Sequence, residues 1–130
     1  MANWINFNVT GGFDVGTGAD PTLDGDNLLL AESIIGVAVA ETALRMTATL
    51  TLTGGLTCTV VCGTNIAATD PSGGTPGYVD YEVMLKRAIT RAMTANPGGA
   101  KATVNCPLNQ DPMLSYNPAN KVYWKDFQVA

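Results

Sequence analysis

Cys58 and Cys62, four residues apart, with Cys106 further along, are the side chains that could hold a soft metal or close a disulfide. The stretch around the first two reads RMTATLTLTGGLTCTVVCG from Arg45 to Gly63, strictly alternating up to a Gly-Gly. On a strand, four residues cover about 13 Å, too far for a shared zinc or a mutual disulfide. The pair is not a CxxC, and the chain has no histidine to complete a metal site. Three small buried hydrophobes are therefore expected, with a disulfide from Cys106 to one of the others as the alternative.

Asp20, Asp24 and Asp26 lie together in DPTLDGDN, as calcium ligands would. Counted from Asp24, the sixth position is Leu29 and the twelfth Ile35, where a calcium loop needs glycine and glutamate, so these are turn carboxylates. The glycines of GTGADP and PSGGTPG lack the lysine of a phosphate loop and the spacing of a dinucleotide fingerprint. Without histidine the commonest general base is missing. Glu32 and Glu41 remain as a carboxylate pair of undetermined separation, and the expectation is no enzyme, no metal and no cofactor. Lys86, Arg87 and Arg91 read as a solvated helix face, because a net charge of −4 is the wrong sign for gripping phosphates; no nucleic-acid partner is expected.

The elements that must carry these residues follow from periodicity. WINFNVT (4–10) sets Ile5, Phe7 and Val9 against Trp4, Asn6, Asn8 and Thr10 as a first strand, followed by a long Gly/Asp-rich loop over 11–27. Leu28 to Glu41 reads as two short strands around a turn near Glu32-Ser33. In the threonine-rich stretch, Met46, Ala48, Leu50 and Leu52 share one face, and Thr47, Thr49, Thr51 and Thr53 the other. A two-residue turn at Gly54-Gly55 would mix the faces, so a three-residue connection is predicted, with Thr53 opposite Thr57 or Leu52 opposite Leu56. Cys58, Val60 and Cys62 then fall on the buried side.

A second loop, TNIAATDPSGGTPG, supplies Thr75-Pro76 as N-cap and first turn of a helix from about Tyr78 to Asn96, stopped by Asn96-Pro97-Gly98-Gly99. Its buried side is Tyr81, Met84, Leu85, Ala88, Ala92 and Met93, and acids precede bases along it as the helix dipole favours. KATVNCPL and KVYWKDFQV close the chain as strands around the loop NQDPMLSYNPAN. The class is α+β: a mostly antiparallel sheet or sandwich of about six to seven strands, with one long amphipathic helix before the last strands, in a single domain over 1–130.

Only 14% of residues are charged, where an ordinary soluble domain carries roughly 25%, while threonine fills sixteen positions. Low charge on a threonine-rich surface fits contact with neighbouring subunits. The interface candidates are Trp4, Thr47, Thr49, Thr51, Tyr123, Trp124 and Phe127, with the aromatics on the last strand marking either a fully covered strand or an interface anchor. MANWINFN has no basic flank and no long apolar stretch, and no run of 18 apolar residues occurs; neither a signal segment nor a membrane partner is expected.

The opening NWINFNVTGG, the block SIIGVAVAETALRMTATLTLT and the helix end RAITRAMTANPGG together resemble small virion proteins encoded by tailed phages of marine bacteria. That resemblance implies a non-enzymatic virion subunit made in the host cytoplasm, joining itself and other virion subunits. The first role it implies is capsid cement, commonly a trimer; a tail-tube or tail-adaptor subunit is the alternative. A secreted carbohydrate-binding β-domain is the alternative from another class, and would place Trp4, Tyr116 and Trp124 around an open cleft.

Overall fold

A computed structural model describes residues 3–14, 17–42, 45–64, 78–94, 101–106 and 122–130. Its strands are β1 (Trp4–Val9), β2 (Phe13–Asp14), β3 (Gly18–Ala19), β4 (Gly25–Leu30), β5 (Ile34–Thr42), β6 (Arg45–Leu52), β7 (Thr57–Thr64), β8 (Lys101–Thr103) and β9 (Val122–Val129), with one α-helix, α1 (Tyr78–Thr94). Seven strands make one sheet in the order β4-β1-β9-β7-β6-β5, with β8 also beside β1; β2 and β3 form a separate two-stranded ribbon. The pairs β1/β4, β5/β6, β6/β7 and β7/β9 are antiparallel, while β8 and β9 both run parallel to β1. The β-rich, mostly antiparallel α+β expectation therefore holds, but the sheet is mixed. The sandwich alternative differs from what is seen: the layer packed on the sheet is α1, whose Leu85, Ile89 and Ala92 join one core with Ile5, Phe7, Leu50 and Val60.

The threonine hairpin takes the second of its two expected registers. Leu50 faces Cys58, Ala48 faces Val60, and Leu52 N–H donates to the Leu56 carbonyl at 2.9 Å, leaving Thr53, Gly54 and Gly55 as the connection. Gly54 and Gly55 both have positive φ, 86° and 81°, which costs a glycine little. Met46, Ala48, Leu50 and Leu52 are buried, as are Cys58, Val60 and Cys62. Leu28 to Glu41 splits as expected, into β4 and β5 around a 3-10 turn at Ala31–Ser33.

Three expectations are corrected. The Gly/Asp-rich stretch is a structured flap: the β2–β3 ribbon, a 3-10 turn at Pro21–Leu23 and the start of β4 at Gly25. On β9, strict alternation would put Trp124 and Phe127 on opposite faces. The pairing with β7 instead shifts by one residue between Val61 and Cys62, so Lys125 is a bulge. Trp124 and Phe127 thereby both reach Phe7, with ring centroids at 5.1 and 6.0 Å. The strand read from KATVNCPL is limited to Lys101–Thr103. The helix is described as far as Thr94 and buries Ile89 as well as Leu85 and Ala92; its expected end near Asn96 lies outside the described residues. The Thr75-Pro76 cap lies outside the described residues.

Candidate functional site

Among the described residues the sheet ends on one side at β5. Ile34 to Ala40 contains neither a charge nor a proline, so of the devices that blunt exposed edges this stretch carries only a bulge near its start. A shift in pairing between Ile34 and Gly36 leaves Ile35 as the bulged residue, 67% exposed. Beyond the bulge, Val37 and Val39 face the same side as Leu50 and Ala48, towards α1, while Gly36, Ala38 and Ala40 stand opposite Thr51, Thr49 and Thr47 on the outer side. Val37 and Val39 are half-buried against the core. Between them and Glu82, Val83 and Lys86 of α1 runs a groove of about 300 Å³, and Val83 is an exposed apolar side chain on its wall.

At its other end the sheet stops at β4, which has six residues and is managed differently. Asp26 there accepts from Asn6 Nδ2 at 2.9 Å and Asn8 Nδ2 at 3.0 Å, and forms an ion pair with Lys101. Asn6 is fully buried, so its amide must be satisfied within the protein. Its Nδ2 also donates to Thr103 Oγ1 at 3.2 Å, and its Oδ1 accepts from Asn27 N at 3.1 Å. This network floors a cleft of about 570 Å³ where β8 and β9 diverge beside β1, lined further by Asn105, Cys106 and Tyr123. The groups on its floor hold strands to one another.

A third polar feature lies under the flap. Lys125, at the β9 bulge, is 2% exposed, and its Nζ sits 5.3 Å from the centre of the Tyr123 ring. Gly11, at φ 63°, passes so close that a Cβ there would come within 2.9 Å of that Nζ. Asp24 accepts from Gly12 N at 2.5 Å and fastens the flap. Burial lowers the Lys125 ammonium from its ordinary 10.5, and the Asp24 charge opposes that shift.

Asp20, Asp24 and Asp26 thus take separate tasks: Asp20 caps the 3-10 turn by accepting from Thr22 N at 3.2 Å, Asp24 holds Gly12, and Asp26 serves β1 and Lys101. Among the described residues no group of three potential metal ligands occurs, and no helix is long and apolar enough to cross a membrane. All three cysteines are free thiols; Cys58 and Cys62 are buried, and Cys106 is half-buried in the polar cleft. Burial alone pushes the Cys58 thiol up to about 12, far from a reactive thiolate. Glu32 is exposed, while the side chain of Glu41 lies outside the described set.

The interface candidates are not brought together. Trp4 is 40% exposed beside Leu30 and Lys101 near the β4 edge, while Thr47 and Thr49, half-buried, and Thr51, exposed, form a row on β6 with β9 and β7 in between. Tyr123 is half-buried under Lys125. Trp124 is 3% exposed, so for it the covered-strand alternative describes this chain, and Phe127 packs against Phe7. Tyr116 is outside the described residues. Sequence reading passed over Ile35, Val37, Val39 and Val83 as a surface; the signal available was the uncharged run from Ile34 to Ala40, which also fits an interior strand. Comparison of the chain with known protein families, with curated proteins and with solved structures finds no match.

Proposed function

We propose that the protein is a non-enzymatic structural subunit that works as a closed homo-oligomer in a virus particle, as a cement protein clamping the shell from outside. The observation that carries the oligomer is β5, nine residues long and without a strand on its outer side among the described residues. Such an edge extends about 30 Å at roughly 3.3 Å per residue and offers a row of backbone donors and acceptors to any extended chain. A closed assembly covers it and removes the aggregation hazard. The low charge and the threonine row beside that edge support the same reading. Placement in a virion rests on the resemblance of the opening strand, the threonine hairpin and the helix end to small phage virion proteins.

A tail-tube or tail-adaptor ring is the second reading, and one feature favours it. The two sheet ends, β4 and β5, are different strands on opposite sides of the molecule, as head-to-tail joining needs. Light scattering of the purified protein at micromolar concentration, with electron micrographs of the native particle carrying labelled protein, tests both. Density on the shell supports cement and density in the tail supports the ring. A stable 13.5 kDa monomer with no affinity for shell or tail subunits overturns the assembly reading.

A further inference from the structure

We infer that the partner of the β5 edge is a second copy of this chain, joined antiparallel through its own β5 across a two-fold axis at Ala38. This rests on the assembly reading above and names its contact. The occupant of an unpaired edge must be an extended strand, because only a strand matches a row of amide and carbonyl groups. That the strand is β5 itself follows from its sequence. Gly36-Val37-Ala38-Val39-Ala40 reads nearly the same in both directions about Ala38. A two-fold there sets Val37 opposite Val39 and Gly36 opposite Ala40, so β-branched meets β-branched and small meets small.

The two faces of such a seam are already sorted. On the side of α1, Val37 and Val39 of both copies form a patch of four valines that extends the core, roofed by the exposed Val83 of each helix. On the outer side the residues nearest the axis on β5 are the small Gly36, Ala38 and Ala40, with the bulged Ile35 beyond them. The groove also carries Glu82 and Lys86, and a two-fold brings the acid of one copy towards the base of the other. Pairing β5 with β4 of a second copy would instead set this apolar edge beside Asn27 and Asp26, without an apolar groove to fill. The seam merges two seven-stranded sheets into one continuous sheet.

Cross-linking at the axis tests this. With Cys106→Ser, the two remaining native thiols are buried, and Ala38→Cys places one accessible thiol at the two-fold. Directly opposed residues of antiparallel strands have Cβ atoms about 4.5–5.5 Å apart, so mild oxidation should convert most of the chain to a species of twice 13.5 kDa on a non-reducing gel. Thr51→Cys in the same background, exposed but one strand inward, should remain monomeric on that gel. Val37→Lys should raise the dissociation midpoint of the assembly at least about tenfold, with circular dichroism reporting whether the sheet is retained. If that variant fails to fold, the Ala38 cross-link still decides.

An assembly of unchanged mass in Val37→Lys, without the Ala38 cross-link, overturns the β5 seam while leaving the homo-oligomer standing. A cross-link formed only with another virion subunit overturns self-pairing. Intact protein that stays monomeric overturns the seam and the assembly reading together.

Discussion

The indole Nε1 of Trp124 donates to the carbonyl of Val104 at 2.7 Å, and this bond ties β9 to the chain leaving β8 where both run beside β1. Two parallel strands share one edge of β1, and Trp124 is the staple across their fork. Trp124→Phe keeps a ring near Phe7 but leaves the buried Val104 carbonyl without this donor, an expected loss of about 1–3 kcal/mol. Trp124→Ala removes the ring as well and should cost about 3–5 kcal/mol. Urea denaturation of both variants checks the order; equal losses would mean that the bond contributes nothing beyond packing.

Asp26 and Lys101 are an ion pair, yet the two partners should not be equally sensitive to truncation. Both are partly exposed, and an exposed pair contributes about 0–1 kcal/mol. Lys101→Ala is therefore expected to be nearly silent. Asp26→Ala also strips one of the two acceptors from the amide of the fully buried Asn6 and should cost about 1–3 kcal/mol. Thermal melts of the two variants side by side read the difference.

Gly11 and Gly54 both have positive φ, 63° and 86°, but a Cβ at Gly54 meets open space while one at Gly11 meets Lys125. Gly54→Ala should cost about 1–2 kcal/mol from backbone conformation alone. Gly11→Ala should cost more, and combining it with Lys125→Ala should return part of the excess. A strictly additive double mutant would show that the flap does not press on Lys125.

Two buried groups give the stability opposite pH slopes. The folded Cys58 thiol holds its proton up to about 12, against 9.0 when unfolded, so its contribution is complete below 9.0 and is lost as pH rises towards 12. Lys125 has a folded value below its ordinary 10.5, so the unfolded chain binds more protons in that window and stability increases as pH rises through it. Cys58→Ala should flatten the alkaline decline, and Lys125→Met should remove the opposing gain. Denaturant midpoints between pH 8 and 11 provide the check; a Cys58→Ala profile parallel to that of the intact protein would contradict the first assignment.

What was legible in the sequence was whatever one strand or helix decides alone. The alternation of Met46 to Leu52 against the threonines settled which side of the hairpin is buried, and left two registers that only the turn could separate. From Met84 to Met93 the helix face was legible from spacing, apart from Ile89. The bulge at Lys125 was not, because an inserted residue is defined by the strand opposite it, and so the sides taken by Trp124 and Phe127 could not be derived from β9. Pairing partners were hidden for the same reason: nothing local says that β1 sits between β4 and β9, or that β5 lies at an edge. The flap escaped because its strands are two residues long and Lys125, over which Gly11 passes, is more than a hundred residues away.

The central position of β9 constrains how the chain comes to be folded. Residues 122–129 are synthesised after every other strand of the sheet, yet they lie between β1 and β7. Until they emerge, β4-β1 with β8 beside it and β7-β6-β5 are two fragments, each with an open stretch where β9 will sit. Closure must therefore wait until residues 122–129 are made, and it proceeds through contacts of long sequence separation that form slowly. During that interval two apolar, hydrogen-bond-hungry strand faces are exposed to other nascent chains. Removing residues 122–130 would leave the nascent chain permanently in that state.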